Sequence, residues 1–214
     1  MSNPPTVRPC IAPIQFLCPA YSPLKLQTKD IEGGTALLYE KNGKRYLVTA
    51  RHVWEGFLEK AGKSRGKRHG AFVISEQGRL LPLNRDAITL KNGDSDIIVL
   101  IPDWLSMGLD GHDFYTGKVA TVSVGDKVTT WGFPGSQRII TSSTVSCSRE
   151  ELNGEATTPF DHKFRFAASA SYDMGGFSGA PVFRADSTLV GLVSEGNSFG
   201  IVTCCDLQNV LNGL

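Results

Sequence analysis

The chain has 214 residues, 41% of them hydrophobic, and a formal net charge of +1. That length fits one large all-β domain or two packed barrels with a substantial core, and no second functional module fits beside them. A charge so near zero argues against a dedicated nucleic-acid or membrane surface, and no stretch approaches the length of a membrane span. The five cysteines, at positions 10, 18, 147, 204 and 205, are odd in number with two adjacent, a poor disulfide framework. Residues 1–5 lack a charged segment leading into an apolar run, so the expected location is the cytoplasm of a bacterium or host cell.

Residues 1–28 carry prolines at 4, 5, 9, 13, 19 and 23, which exclude a helix, disfavour regular sheet and predict an extended arm, partly packed through Cys10, Ile14, Phe16 and Leu17. From Gly33 the pattern changes. Thr35–Tyr39 and Arg45–Thr49 flank Lys41-Asn42-Gly43-Lys44, and Asn-Gly between apolar runs predicts a tight hairpin, with His52 at its end. A helical turn is expected over Trp54–Lys60. The run from Lys60 to His69 holds five basic residues and reads as a solvated loop or a loop that binds a regulatory protein. Gly70–Ser75, Leu80–Leu83 and Ile97–Ile101 read as strands, and Pro102–Phe114 as a connection. In the second half, Val128–Trp131 begins a strand, Gln137–Ser146 reads as one long strand, and Ser148–Asp161 as loop. Lys163–Ala170, Val182-Phe183 and Leu189–Val193 follow as strands, and Asp206 caps a short helix ending before Gly213. Many short strands without repeated intervening helices predict an all-β fold.

The densest chemical signal is Met174-Gly175-Gly176-Phe177-Ser178-Gly179-Ala180-Pro181-Val182. Glycines on both sides of one hydroxyl let consecutive N–H groups converge beside the serine oxygen, which is what acyl transfer requires of a nucleophile and its oxyanion donors. Gly/Ser turns before strands are also common in purely structural settings. A nucleophilic serine needs a base and the base an orienting group; His52 after the apolar Tyr46–Ala50 and Asp96 before Ile97–Leu100 stand in the order His, Asp, Ser. Asp94 competes with Asp96 and suits turn chemistry. His69, His112 and His162 sit in polar surroundings, and Cys204 and Cys205 lack a glycine turn or a neighbouring base motif, so both read as buried strand residues. No Cys/His spacing resembles a zinc site, and neither metal nor cofactor is expected.

Thr49-Ala50-Arg51-His52, Asp96-Ile97-Ile98-Val99-Leu100 and Gly176-Phe177-Ser178-Gly179-Ala180-Pro181 together resemble the three motifs of the trypsin-like serine protease superfamily. The resemblance covers roughly residues 30–214 and implies two packed six-stranded Greek-key β-barrels with a short C-terminal helix: an arm over 1–28, a protease domain over 29–214, a first barrel about 29–104 and a second about 118–205. It implies an endopeptidase acting on polypeptides, with catalytic His52, Asp96 and Ser178 and an oxyanion hole from the N–H groups of Gly176 and Ser178. A partner-regulated or inactive binding scaffold on the same fold is the alternative.

By the same resemblance, Val193-Ser194-Glu195-Gly196 pairs with the substrate backbone, Ser194 hydrogen-bonds Asp96, and Gly196 and Gly200 line the pocket entrance. Tyr172 matches the usual specificity position. Adjacent Asp173 supplies a carboxylate, and a basic or medium-sized residue before the scissile bond is expected. Departures matter equally. Phe177 stands where secreted members have an aspartate that pairs with a newly cut N-terminus, and Val53 and Met174 stand where they have disulfide cysteines. Such a terminus begins Ile-Val-Gly-Gly; Ile31-Glu32-Gly33-Gly34 is the nearest look-alike, but it runs into the strand before the histidine hairpin. The resemblance is therefore closer to disulfide-free intracellular, viral or heat-shock-type members, and activity without N-terminal cleavage is expected.

Overall fold

The computed structural model describes residues 11–17, 32–63, 70–74, 80–83, 88–91, 95–102, 113–134, 138–140, 145–147, 149–157, 159–168 and 174–214. The first half gives β1 (Ile11–Leu17), β2 (Glu32–Lys41), β3 (Lys44–Ala50), α1 (Arg51–Lys63), β4 (Gly70–Ile74), β5 (Leu80–Leu83), β6 (Ile88–Lys91) and β7 (Ile97–Ile101). The second gives β8 (Lys127–Gly132), β9 (Arg138–Ile140), β10 (Val145–Cys147), β11 (Glu150–Glu155), β12 (Lys163–Ala167), β13 (Pro181–Arg184), β14 (Leu189–Gly196), β15 (Ile201–Asp206) and α2 (Gln208–Asn212). The strands form a seven-stranded sheet in the order β5-β4-β1-β2-β3-β7-β6, a six-stranded sheet in the order β11-β8-β13-β14-β15-β12, and the pair β10-β9. The fold is mostly β. Among the described residues no helix is long and apolar enough to cross a membrane.

The β2–β3 hairpin forms as its sequence demands, for Asn42 and Gly43 take φ of 53° and 73°, the paired positive values of a type I′ turn. Beyond it Leu47, Val48, Thr49 and Ala50 are wholly buried, because β3 is covered on both faces. The expectation for the arm is corrected at residues 11–17, which form an internal strand between β2 and β4. Pro13 is admitted because the β4 ladder begins only at Ile14, so at Pro13 the strand has one neighbour, β2, and the absent N–H breaks no second ladder. Seven strands therefore stand where six were expected.

Three further expectations are revised. The helical turn at Trp54–Lys60 is a helix beginning at Arg51, so His52 lies in its first turn; Val53, Trp54 and Phe57 form its buried stripe. Gln137–Ser146 is not one strand, since β9 and β10 pair antiparallel with Val145 opposite Ile140; the intervening Thr141-Ser142-Ser143-Thr144 offers no apolar alternation to carry a strand through. Within the expected loop 148–161, Glu150–Glu155 pairs with β8 as an edge strand in which Leu152 is the residue deepest in the core. The basic segment 64–69 and the connection 103–112 lie outside the described residues.

One core joins the sheets. Leu37, Leu47, Ile97, Val99, Trp54 and Phe57 pack with Phe183, Leu189, Leu192, Leu207 and Leu211, while a second cluster around Val128, Phe164, Phe166 and Phe177 fills the second sheet. Asp206 accepts the Gln208 N–H at 2.7 Å, and Lys41 Nζ donates to the carbonyls of Leu211 and Asn212 at 2.8 and 3.1 Å, tying α2 to the hairpin.

Tyr115 is the main polar staple between the halves. Its N–H donates to Leu38 O and its carbonyl accepts from Glu40 N–H, both on β2. Its buried hydroxyl accepts the Leu189 N–H at 3.1 Å and lies 2.7 and 2.8 Å from the Lys118 and Ser187 carbonyls, to one of which its single proton goes. The Leu189 N–H also donates to the Lys118 carbonyl at 3.0 Å, so Tyr115→Phe should remove the hydroxyl's bonds without orphaning that donor and cost about 0.5–1.5 kcal/mol, read as a lower urea midpoint with an unchanged slope.

Candidate active site

Asp96 stands at the start of β7 and meets the first turn of α1. The leading N–H groups of a helix have no partner within it, and here two of them turn to Asp96: Arg51 N–H donates to its main-chain carbonyl at 3.1 Å and His52 N–H to Oδ1 at 2.9 Å. The other carboxylate oxygen, Oδ2, takes His52 Nδ1 at 2.7 Å and the Ser194 hydroxyl at 2.6 Å. Burial of Asp96 acts to raise its pKa, but these bonds from His52 and Ser194 outweigh it and hold the group below the ordinary value of 3.8. The carboxylate is thus ionised and fixed, and it fixes the imidazole. With Nδ1–H given to Asp96, Nε2 carries the free lone pair of a base.

The loop around Ser178 is built on the opposite sheet. Met174 O accepts the Phe177 N–H at 3.2 Å across a four-residue turn whose third residue, Gly176, has φ of 97°. That value belongs to a type II turn and to glycine, and it sets the direction of the Gly175–Gly176 peptide. The N–H groups of Gly176 and Ser178 have no acceptor among the described residues. Phe177 is wholly buried, its ring packed so closely on Gly132 that a Cβ there would collide with it. Gly179 N–H donates to Val193 O at 2.7 Å and Val193 N–H to Ala180 O at 2.8 Å, seating the loop on β14. The Ser178 hydroxyl donates to the Ser194 carbonyl at 3.2 Å, so its proton points along β14 rather than at the imidazole.

Every triad candidate is therefore at one site: His52, Asp96 and Ser194 bond directly, and Ser178 joins them through Ser194. β14 pairs with β13 as far as Leu192, and among the described residues no strand pairs with that side beyond Val193, where Glu195 and Gly196 are exposed. Gly196 lies against the Met174 side chain, and Gly200 closes the Asn197–Gly200 turn with φ of 77°. Tyr172, Asp173 and the competing Asp94 lie outside the described residues, as do His69 and His112. Burial raises the Cys204 thiol well above its ordinary pKa and raises Cys205 as well, so both stay protonated and unreactive. Among the described residues no group of three or more His, Cys, Asp or Glu could hold a metal ion.

Sequence reading overlooked Thr35. This buried residue of β2 donates its N–H to Ser178 O at 2.8 Å and its hydroxyl to Gly176 O at 2.8 Å, while Thr49 Oγ1 donates to Thr35 O. A threonine in an apolar strand carries no signal of such a task, since β-branched residues are at home there.

A family model described as a trypsin-like peptidase domain matches residues 34–192. No curated protein matches the sequence. Among solved structures the chain is similar to the serine endoprotease from Yersinia pestis, with 16% identity and a TM-score of 0.60 over 95% of this chain and 61% of that one. The chain thus spans less than two thirds of that protein's length, and at this identity the likeness shows the fold.

Asp96 gives the site a defined pH response. Its folded pKa lies below the unfolded one, so its contribution to stability is complete above 3.8 and is lost as pH falls through the lower folded value. The stability gap between the wild type and Asp96→Asn should be full at about pH 6 and shrink towards about pH 3, as urea titrations at each pH would read. A gap that stays constant or widens on acidification would refute the assignment.

Proposed function

The chain belongs to the trypsin-like peptidase family, and on that premise we propose that it is a serine endopeptidase that cleaves polypeptides through an acyl-enzyme. The observation that carries this reading is the Asp96 carboxylate holding His52 Nδ1 at 2.7 Å, which leaves Nε2 to act as the base, while Ser194 joins the same carboxylate to the glycine-caged Ser178. On substrate binding the Ser178 hydroxyl turns from Ser194 O to His52 Nε2. His52 takes its proton as Oγ bonds to the scissile carbonyl carbon, and the oxyanion settles on the N–H groups of Gly176 and Ser178. His52 then returns the proton to the leaving amine, and water, deprotonated by the same imidazole, releases the acyl group. The substrate backbone adds as a strand to the open edge at Ser194–Gly196. In this reading the two sheets are the two Greek-key barrels and the site lies between them.

The reading includes activity of the uncut chain. A freed N-terminal amine has no counter-charge at Phe177, and the Gly176 turn already has the φ that an oxyanion donor requires. The Ser178–Ser194 bond, which parks the nucleophile away from its base, is the one observation favouring the alternative of a partner-regulated scaffold. Labelling decides between them. Full-length protein with a mass-verified intact N-terminus should react with a fluorophosphonate at Ser178, and labelling that appears only after cleavage near residue 30, or under no condition, would overturn the proposal. Ser178→Ala and His52→Ala should each lower turnover on the order of a millionfold without additivity, and Asp96→Asn on the order of ten-thousandfold.

The resemblance puts Tyr172 at the usual specificity position with the Asp173 carboxylate adjacent in sequence, and on that ground a basic or medium-sized residue is proposed before the scissile bond. A positional-scanning peptide library should select such residues, and selection of acidic ones would overturn the preference.

A further inference from the structure

We infer that the Thr35 hydroxyl is a positioning group for the oxyanion hole, locking the Gly176 turn in its donor-out form from the opposite sheet. The inference rests on the peptidase reading and deepens it. Type I and type II turns differ by a flip of their middle peptide, which in Met174–Phe177 is Gly175–Gly176. In the type II form the Gly176 N–H faces the site; in the type I form that place goes to the Gly175 carbonyl, which repels an oxyanion. Glycine adopts either sign of φ readily, so nothing intrinsic to Gly176 holds it at 97°.

What holds it comes from outside the loop. Thr35 Oγ1 donates to Gly176 O at 2.8 Å and accepts the Phe133 N–H at 3.1 Å, so one hydroxyl joins β2, the end of β8 and the turn. That bond fixes the peptide on the C-terminal side of Gly176. Thr35 N–H fixes Ser178 O two residues on, and the buried Phe177 ring anchors the residue between them. The turn is pinned at three successive residues, two of the pins belonging to Thr35. The fit leaves little slack, since a Cβ on neighbouring Gly34 would approach Ser178 O to 2.5 Å. Thr35 is wholly buried and its bond to Gly176 O part-buried, so any rearrangement of the turn that moves Gly176 O would leave the Thr35 proton without that acceptor. This neutral hydroxyl does for the loop what a charge at residue 177 cannot do here, and it needs no cleavage to act.

The test uses the full chain with Thr35→Val, which removes the hydroxyl at nearly constant shape, and Thr35→Ser, which keeps it. Thr35→Val should lower kcat on a fluorogenic peptide roughly tenfold to a hundredfold with KM within about threefold of wild type, since a displaced donor weakens transition-state and not ground-state binding. Affinity for a peptide aldehyde, whose adduct carries an oxyanion, should fall by a similar factor, while affinity for the matching peptide acid holds. Thr35→Ser should recover most of the loss. If Thr35→Val does not fold, the smaller Thr35→Ala takes its place against Thr35→Ser. Wild type that labels with a fluorophosphonate alongside a Thr35→Val variant within threefold of its kcat would overturn the role of Thr35 alone. A loss confined to KM, or shared equally by the aldehyde and the acid, would also overturn it. Wild type that does not label would overturn the peptidase reading and this inference with it.

Discussion

The site depends on one carboxylate. Asp96 is bonded by the first turn of α1 through Oδ1 and by the imidazole and Ser194 through Oδ2, so a helix end, a base and a strand of the other sheet meet on a single charge. Each partner answers a different need. The helix would otherwise present unsatisfied N–H groups, the imidazole would rotate, and the half-buried charge would be costly without donors. The arrangement makes satisfaction of the helix end and orientation of the imidazole the same set of bonds. Removing the charge therefore loosens the helix start along with the base.

A second constraint is the closeness of the two sheets at the nucleophile. Gly34, Gly132 and Gly179 each sit where a side chain would strike the opposing backbone or the Phe177 ring. The glycine density of the loop thus serves approach as much as conformation. It lets the backbone of β2 reach Ser178 O, and the Thr35 side chain reach Gly176 O. Thr49 and Thr35 complete the contact with hydroxyls rather than charges, which suits a region with little water to screen or solvate them.

Much of this was legible in the sequence because it depended on local chemistry. Asn42-Gly43 announced its hairpin, the glycine cage drew attention to Ser178, and the pattern of the resembled family, an Asp followed by apolar residues, favoured Asp96 over Asp94. What escaped depended on distant partners. The start of α1 at Arg51 has no local cap, since its acceptor lies on β7. Pro13 argued against a strand that tertiary pairing nonetheless forms, and Glu150–Glu155 is too polar and too near the edge to show an alternation. Thr35 looked like any β-branched residue until the loop arrived beside it.

The sequence distances within the site have a consequence for how the chain comes to possess it. His52 and Asp96 are separated by 44 positions, Asp96 and Ser194 by 98, and Thr35 and Gly176 by 141. Bonds that span so much chain close long loops, and they sit at the slow, high-contact-order end of folding. A ribosome-bound chain that has exposed only its first half holds the base and its orienting acid but neither the nucleophile nor the turn beside it. The site around Asp96 is thereby assembled from both halves of the chain and stays incomplete until the second half has joined the first.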